Sequence, residues 1–276
     1  MTLRALLSAL AAVAALAGGA AARAELVTID VARPRPAQIA LHWLPAAAGG
    51  PRPAVIALHG CGGLYSAGGE ELAQRYRENT ARFHAAGWHV VLPDSFGKVS
   101  LCTVAADERA VRVEDRRADV LATLAWLRSR GDVDAARIAI VGWSNGATTA
   151  LSTINVRRTV HAQGIAGVAA FYPGCASLAK WPFGIAAPVL LQVGEKDDWT
   201  PAAHCRALGE ALSRQGPDVP FRIVVHADSF HGFDGTRPVR FRPGVADGKG
   251  AHSGGNPAAR AASIAELMAF LEQVLQ

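Results

Sequence analysis

The chain has 276 residues, half of them hydrophobic and 18% charged, with Lys+Arg 28 against Asp+Glu 23. That is enough apolar material for one large core and far too little charge for a disordered chain. A formal net charge of +5 spread along the sequence gives no electrostatic footprint for nucleic acid, and no internal repeat or low-complexity run interrupts it.

Met1 to Ala24 carries one early charge at Arg4, an uncharged Ala-rich run from Ala5 to Ala17, and Ala22-Arg23-Ala24 before Glu25. This predicts a signal peptide cleaved after Ala24 and export to the periplasm or beyond; the run is too short and too Ala-rich for a membrane anchor. Removing it leaves 26 basic residues against 23 acidic, and residues 25–276 are expected to form a single domain. Four cysteines remain, Cys61, Cys102, Cys175 and Cys205. An even count in an exported chain suggests two disulfides, with three possible pairings. Cys61 and Cys102 each follow a predicted strand end on one side of the sheet, and Cys175 and Cys205 each lie just after a strand or in the helix that follows. The expected pairs are therefore Cys61–Cys102 and Cys175–Cys205. No cysteine or histidine spacing suits zinc, so neither metal nor other cofactor is expected.

Glu25–Val31 and Gln38–Leu44 alternate apolar and polar residues and predict a pair of antiparallel edge strands. Continuous apolar strands are predicted at Ala54–Leu58, Trp88–Leu92, Ile138–Val141, Ile165–Phe171, Pro188–Val193 and Phe221–His226. Helices are predicted over 69–86 ending at Gly87, over 107–130, after Leu151, over 201–214, and from about Pro257 to the C-terminus. Alternating strands and helices predict an α/β fold with a mostly parallel, doubly wound sheet of about eight strands and helices on both faces. Gly235–Asn256 is too long and too polar for a simple turn; a mobile flap, a disordered loop and a docking site for a partner are all open readings. Arg237, Arg240 and Arg242 within it are expected on a solvated loop.

Gly142-Trp-Ser144-Asn-Gly146 lies between the Ile138 strand and a helix. A strand that turns sharply into a helix lifts its central side chain above the sheet and leaves room only for glycine two places to either side. Ligands of such sheets bind beyond the carboxyl ends of the strands. Four groups fall there: the Gly60-Cys61-Gly62-Gly63 loop, Ser144, the pair Asp197 and Asp198, and His231. The order Ser, Asp, His is that of the α/β-hydrolase fold. Ser144 is the candidate nucleophile, His231 the base that takes its proton and returns it to the leaving group, and Asp197 the acid that orients the imidazole. Asp198 is the alternative acid, or a cap for the helix entering at Pro201. The main-chain N–H groups of Cys61 and Asn145 are the candidate oxyanion hole. Cys61 as a thiol nucleophile is disfavoured, because it lacks the strand–turn–helix setting. His59 is expected to brace its own loop. Trp143, Trp181, Phe183, Trp199 and Phe233 are candidate pocket residues, Trp143 equally a core residue.

Leu58-His-Gly-Cys-Gly-Gly63, Pro93-Asp-Ser-Phe96, Gly142-Trp-Ser-Asn-Gly146, Gly194-Glu-Lys-Asp-Asp-Trp-Thr-Pro201 and Phe230-His-Gly-Phe-Asp234 together resemble the dienelactone hydrolase family of α/β-hydrolases. The resemblance implies hydrolysis of a small ester or lactone through an acyl-enzyme, with the triad on Ser144, Asp197 and His231. Two departures stand out. Ser144 occupies the place where dienelactone hydrolases carry cysteine, and Gly60 the place of a glutamate, which favours an ordinary serine esterase. A peptidase using the same triad, or a non-catalytic binding module on the same scaffold, are the competing expectations.

Overall fold

The computed structural model describes residues 24–33, 37–46, 50–105, 107–158, 160–216 and 219–276. The predicted signal peptide, apart from Ala24, lies outside them. The chain runs β1 (Glu25–Val31), β2 (Ala37–Leu44), β3 (Arg52–Leu58), α1 (Gln74–Ala85), β4 (His89–Asp94), α2 (Val113–Arg128), β5 (Val133–Trp143), α3 (Asn145–Thr153), β6 (Gly167–Phe171), α4 (Cys175–Leu178), β7 (Val189–Gly194), α5 (Ala202–Arg214), β8 (Phe221–His226), β9 (Arg240–Gly244), β10 (Gly248–Ser253) and α6 (Pro257–Val274).

Strands β1 to β8 form one sheet in the order β1-β2-β4-β3-β5-β6-β7-β8, antiparallel at β1–β2 and β2–β4 and parallel from β4 onward. Only β1 is an edge of the predicted pair, since β2 also pairs with β4. The central strands are built on continuous apolar runs because both of their faces are covered. Ile56, Leu58, Ile138, Ile140, Leu191 and Val193 pack under α2, α3 and α5. Their alternates Val55, Ala57, Ala139, Val141 and Leu190 pack under α1 and α6. The register sets Leu58 beside Gly142, Trp143 beside Phe171, and Gly194 beside His226. The loops after β3, β5, β6, β7 and β8 therefore leave from one edge of the sheet.

Two helices start later than composition suggests. The Gly68-Gly69 turn, with Gly69 at φ +70° and a bridge between Tyr65 and Leu72, occupies residues assigned to the start of α1. The first turn of α2 forms only where the Asp115 carboxylate accepts the Arg112 N–H at 2.9 Å.

Both expected cysteine pairs are bonded, Cys61–Cys102 and Cys175–Cys205. They close loops of 41 and 30 residues, each worth about 4 kcal/mol in the chain-entropy account. Such bonds fit a protein that folds in an oxidising compartment. Among the described residues no helix is long and apolar enough to cross a membrane.

The polar insert is folded. β9 and β10 pair as an antiparallel hairpin joined by Val245-Ala246-Asp247, with Ala246, Asp247 and Gly248 at positive φ. Its inner residues Val245 and Ala251 bury against the Cys61–Cys102 bond and Trp199. That contact with distant elements orders a segment too polar to read as structured.

Candidate active site

The elbow at Ser144 is set by sterics. Ser144 sits at φ 53°, ψ −115°, a conformation L residues adopt only under constraint. A Cβ on Gly142 would lie 2.5 Å from the Gly146 carbonyl oxygen, and one on Gly146 would lie 2.2 Å from that of Leu58. The two glycines thus let α3 lie directly on β3 and β5. The serine N–H donates to the Phe171 carbonyl at 2.9 Å, which ties the elbow to β6.

Above that edge the chain brings together the three groups expected from their order. His231 Nε2 lies 3.0 Å from Ser144 Oγ, and its Nδ1 lies 2.9 Å from Asp197 Oδ2. Asp197 and His231 are buried, at 4% and 5% exposure. The carboxylate is held from behind: its Oδ1 accepts the N–H groups of Trp199 and Thr200 at 2.9 and 2.7 Å. The Thr200 hydroxyl sits 3.0 Å from Oδ2 and 3.1 Å from His231 Nδ1. The imidazole lies between the rings of Tyr172 and Trp199, at centroid distances of 4.5 and 4.6 Å.

Asp198, the alternative acid, faces away from this line. It accepts the His252 N–H at 2.9 Å and pairs with His252 Nδ1 at 2.7 Å, so it anchors β10. Burial works against its charge, yet the bonds from His252 hold its carboxyl below the usual range. The hairpin also reaches His231, whose carbonyl accepts the Gly254 N–H at 3.0 Å.

The loop after β3 runs against the elbow; a Cβ on Gly60 would lie 3.4 Å from that of Ser144. His59 braces it as expected, with Nδ1 2.9 Å from the Gly60 carbonyl oxygen and Nε2 accepting the Ser95 N–H at 3.3 Å. Burial, with the neighbouring Arg116 charge, keeps its pKa well below the ordinary histidine value, so this ring stays neutral. Among the described residues neither the Cys61 nor the Asn145 N–H has a protein acceptor. Two donors are therefore free on either side of Ser144. The Cys61 sulfur is committed to Cys102 and is no thiol nucleophile.

Some site residues carried no role in the sequence reading. Asp234, at 4% exposure, accepts from Tyr172 Oη at 2.7 Å, Trp143 Nε1 at 3.0 Å and Arg75 Nε at 2.8 Å. Burial works against the Arg75 charge, but Asp234 raises its pKa above the ordinary value, and burial pushes the Tyr172 phenol well up. This cluster fixes Tyr172, at φ +40°, beneath the His231 ring. The one available signal was a lone acid closing the apolar Phe230-His-Gly-Phe run.

Two cavities flank Ser144. The larger, about 630 Å³, runs along α3 past Thr148 and Ser152 to Asn155, with Trp181 and Trp199 on its walls. The smaller, about 320 Å³, holds His231, Tyr172, Trp199 and the Gly60–Gly63 loop. Of the candidate pocket aromatics, Trp181 and Trp199 face the cavities, while Trp143 borders the smaller one but is held in the core by Asp234 with only 1% exposure. Phe183 and Phe233 correct the expectation. Phe183 packs into the core under α5, and Phe233 is sealed between Phe171, Tyr172 and His226. Arg237 and Arg240 are solvent-exposed, as expected, and Arg242 is half-buried; all three also line the smaller cavity, Arg240 and Arg242 from β9.

A mostly parallel wound sheet with these groups above its carboxyl edge defines an α/β-hydrolase. The model of the dienelactone hydrolase family matches residues 39–275, and the chain belongs to that family. It is accordingly a hydrolase. No curated protein matches it. Among solved structures it is similar to a dienelactone hydrolase-like promiscuous phosphotriesterase from metagenomic libraries, 17% identical with a TM-score of 0.67 over 91% of this chain and 99% of that one. It is also similar to Thermogutta terrifontis esterase 2 phosphoramylated by tabun, 17% identical with a TM-score of 0.62 over 91% and 94%. At such identities these likenesses speak for the fold alone.

Proposed function

We propose that the chain is an exported serine hydrolase that cleaves a small carboxylic ester or lactone through an acyl-enzyme. The observation that carries this reading is the unbroken line from Ser144 Oγ through His231 to Asp197. In this mechanism His231 Nε2 takes the Ser144 proton as Oγ attacks the carbonyl carbon. Asp197 keeps the remaining proton on Nδ1 and stabilises the imidazolium. The oxyanion of the tetrahedral intermediate is met by the N–H groups of Cys61 and Asn145. His231 then protonates the departing alkoxide. In the second half it activates a water that releases the acid and restores Ser144. Residues 1–24 act as a cleaved signal peptide, and residues 25–276 work as one domain with a small-molecule substrate, without nucleic acid, stable membrane insertion or cofactor.

The charge of the smaller cavity favours a negatively charged substrate. Arg75 and Arg260 on its wall are paired with Asp234 and Glu78. Among the described residues Arg237, Arg240 and Arg242 have no ion-pair partner, and Arg242 lies over Trp199 at 5.4 Å. Partial burial and its two arginine neighbours lower the Arg242 pKa, an effect a bound anion reverses. A panel of chromogenic esters with matched neutral and carboxylate-bearing groups tests both points. Turnover is expected, with kcat/KM about tenfold higher for the anionic member at low salt and the advantage shrinking as salt rises. No turnover of any member speaks against the hydrolase, and equal turnover of both kinds against the charge preference.

A further inference from the structure

The oxyanion donors belong to two separate segments, the loop after β3 and the first turn of α3, so something must set the distance between them. One buried side chain spans the seam. Arg116, in the first turn of α2 and only 1% exposed, sends Nη1 to the His59 carbonyl oxygen at 2.8 Å and to Asn145 Oδ1 at 2.6 Å. His59 lies two residues before Cys61, and Asn145 carries the second donor itself. Its other nitrogens, Nε and Nη2, have no protein acceptor, and among the described residues no carboxylate lies within ion-pair distance of it. The nearby Asp119 is instead paired with Arg33. Such a cation costs stability where it stands, and burial lowers its pKa to about 10, which still leaves it charged at neutral pH. A structural arginine at such a seam would ordinarily be matched by an acid; this one is matched by a backbone carbonyl and a neutral amide.

We propose that Arg116 is a positioning residue for the oxyanion hole, its guanidinium fixing the spacing of the Cys61 and Asn145 N–H groups by bridging the segments that carry them. The proposal rests on the hydrolase reading above. It assigns a role to the Asn145 side chain beyond that of its N–H, and it explains why an amide that can accept from Arg116 follows the serine. Arg116 touches no reacting atom, so its removal acts on the transition state through two neighbours.

Arg116→Met, Arg116→Lys, Asn145→Ala and the double variant Arg116→Met/Asn145→Ala test this in the full chain with both disulfides formed. Arg116→Met is expected to lower kcat about 10- to 100-fold with KM within about threefold, since a displaced donor costs less than a deleted one. Arg116→Lys, which keeps a donor for His59, is expected to recover part of the loss. Affinity for a trifluoromethyl ketone, which forms the tetrahedral adduct, should fall by the same factor as kcat/KM, and the double variant should lose less than the product of the single losses. Wild-type kcat in Arg116→Lys and Asn145→Ala, ketone affinity that does not follow kcat/KM, or fully multiplicative losses would overturn it. Arg116→Lys and Asn145→Ala carry the test even if Arg116→Met does not fold. An inactive Ser144→Ala beside fully active Arg116 variants overturns this inference alone, whereas an active Ser144→Ala removes the hydrolase reading beneath it.

Discussion

Ser144→Ala is expected to lower kcat for a short-chain chromogenic ester by about three to six orders of magnitude, with KM little changed. The size follows from what is lost: without Oγ no acyl-enzyme forms, and what remains is whatever the free N–H groups and binding contribute to attack by water. The fold should survive, because alanine meets the same backbone demand at φ 53° and the removed oxygen is hydrogen-bonded to His231 alone among side chains. Thermal unfolding compared with the wild type checks this. Activity within tenfold of the wild type in a correctly folded variant would contradict the mechanism.

The second large effect separates two adjacent carboxylates. Asp197→Asn is expected to cost about 10⁴-fold in kcat, because an amide N–H set toward His231 Nδ1 imposes the wrong imidazole tautomer. The Asp197 carboxylate has no room to rearrange, with one oxygen accepting two main-chain N–H groups and the other set between Thr200 and His231. Asp198→Asn keeps an acceptor for the His252 N–H and leaves the line through Ser144 intact, so its kcat is expected to stay within about threefold of the wild type by the small worth of exposed ion pairs. Steady-state kinetics of the two variants decide the matter. Equal losses, or a greater loss in Asp198→Asn, would reverse the assignment of the acid.

The parts of this molecule legible in the sequence are those where backbone sterics or two-sided burial leave little choice. A Cβ at Gly142 or Gly146 would meet a carbonyl oxygen at less than van der Waals distance, so G-x-S-x-G is a direct record of the elbow. The strands from β3 to β7 carry long apolar runs because helices cover both sides, and that pattern is visible without coordinates. What stayed hidden depends on partners far along the chain. Asp234 gathers Trp143, Tyr172 and Arg75 from three other elements, and nothing near residue 234 announces them. The β9–β10 hairpin owes its order to Asp198 and to the buried contact of Val245 and Ala251 with the Cys61–Cys102 bond, so its own polar sequence reads as a loose loop. Arg237, Arg240 and Arg242 reach the smaller cavity only once that hairpin is folded back. Phe183 and Phe233 look like pocket residues because each lies near a loop, yet their loops turn them into the core.

The dienelactone hydrolase family and the wound sheet give the chain its class; the serine line carries the proposed mechanism. That mechanism makes one covalent demand. Treating the folded, disulfide-intact protein with a fluorophosphonate and mapping the adduct by peptide mass tests it most directly. The account predicts one adduct per chain, on the peptide that carries Ser144. A folded protein that stays unmodified, or an adduct on any other residue, would contradict it.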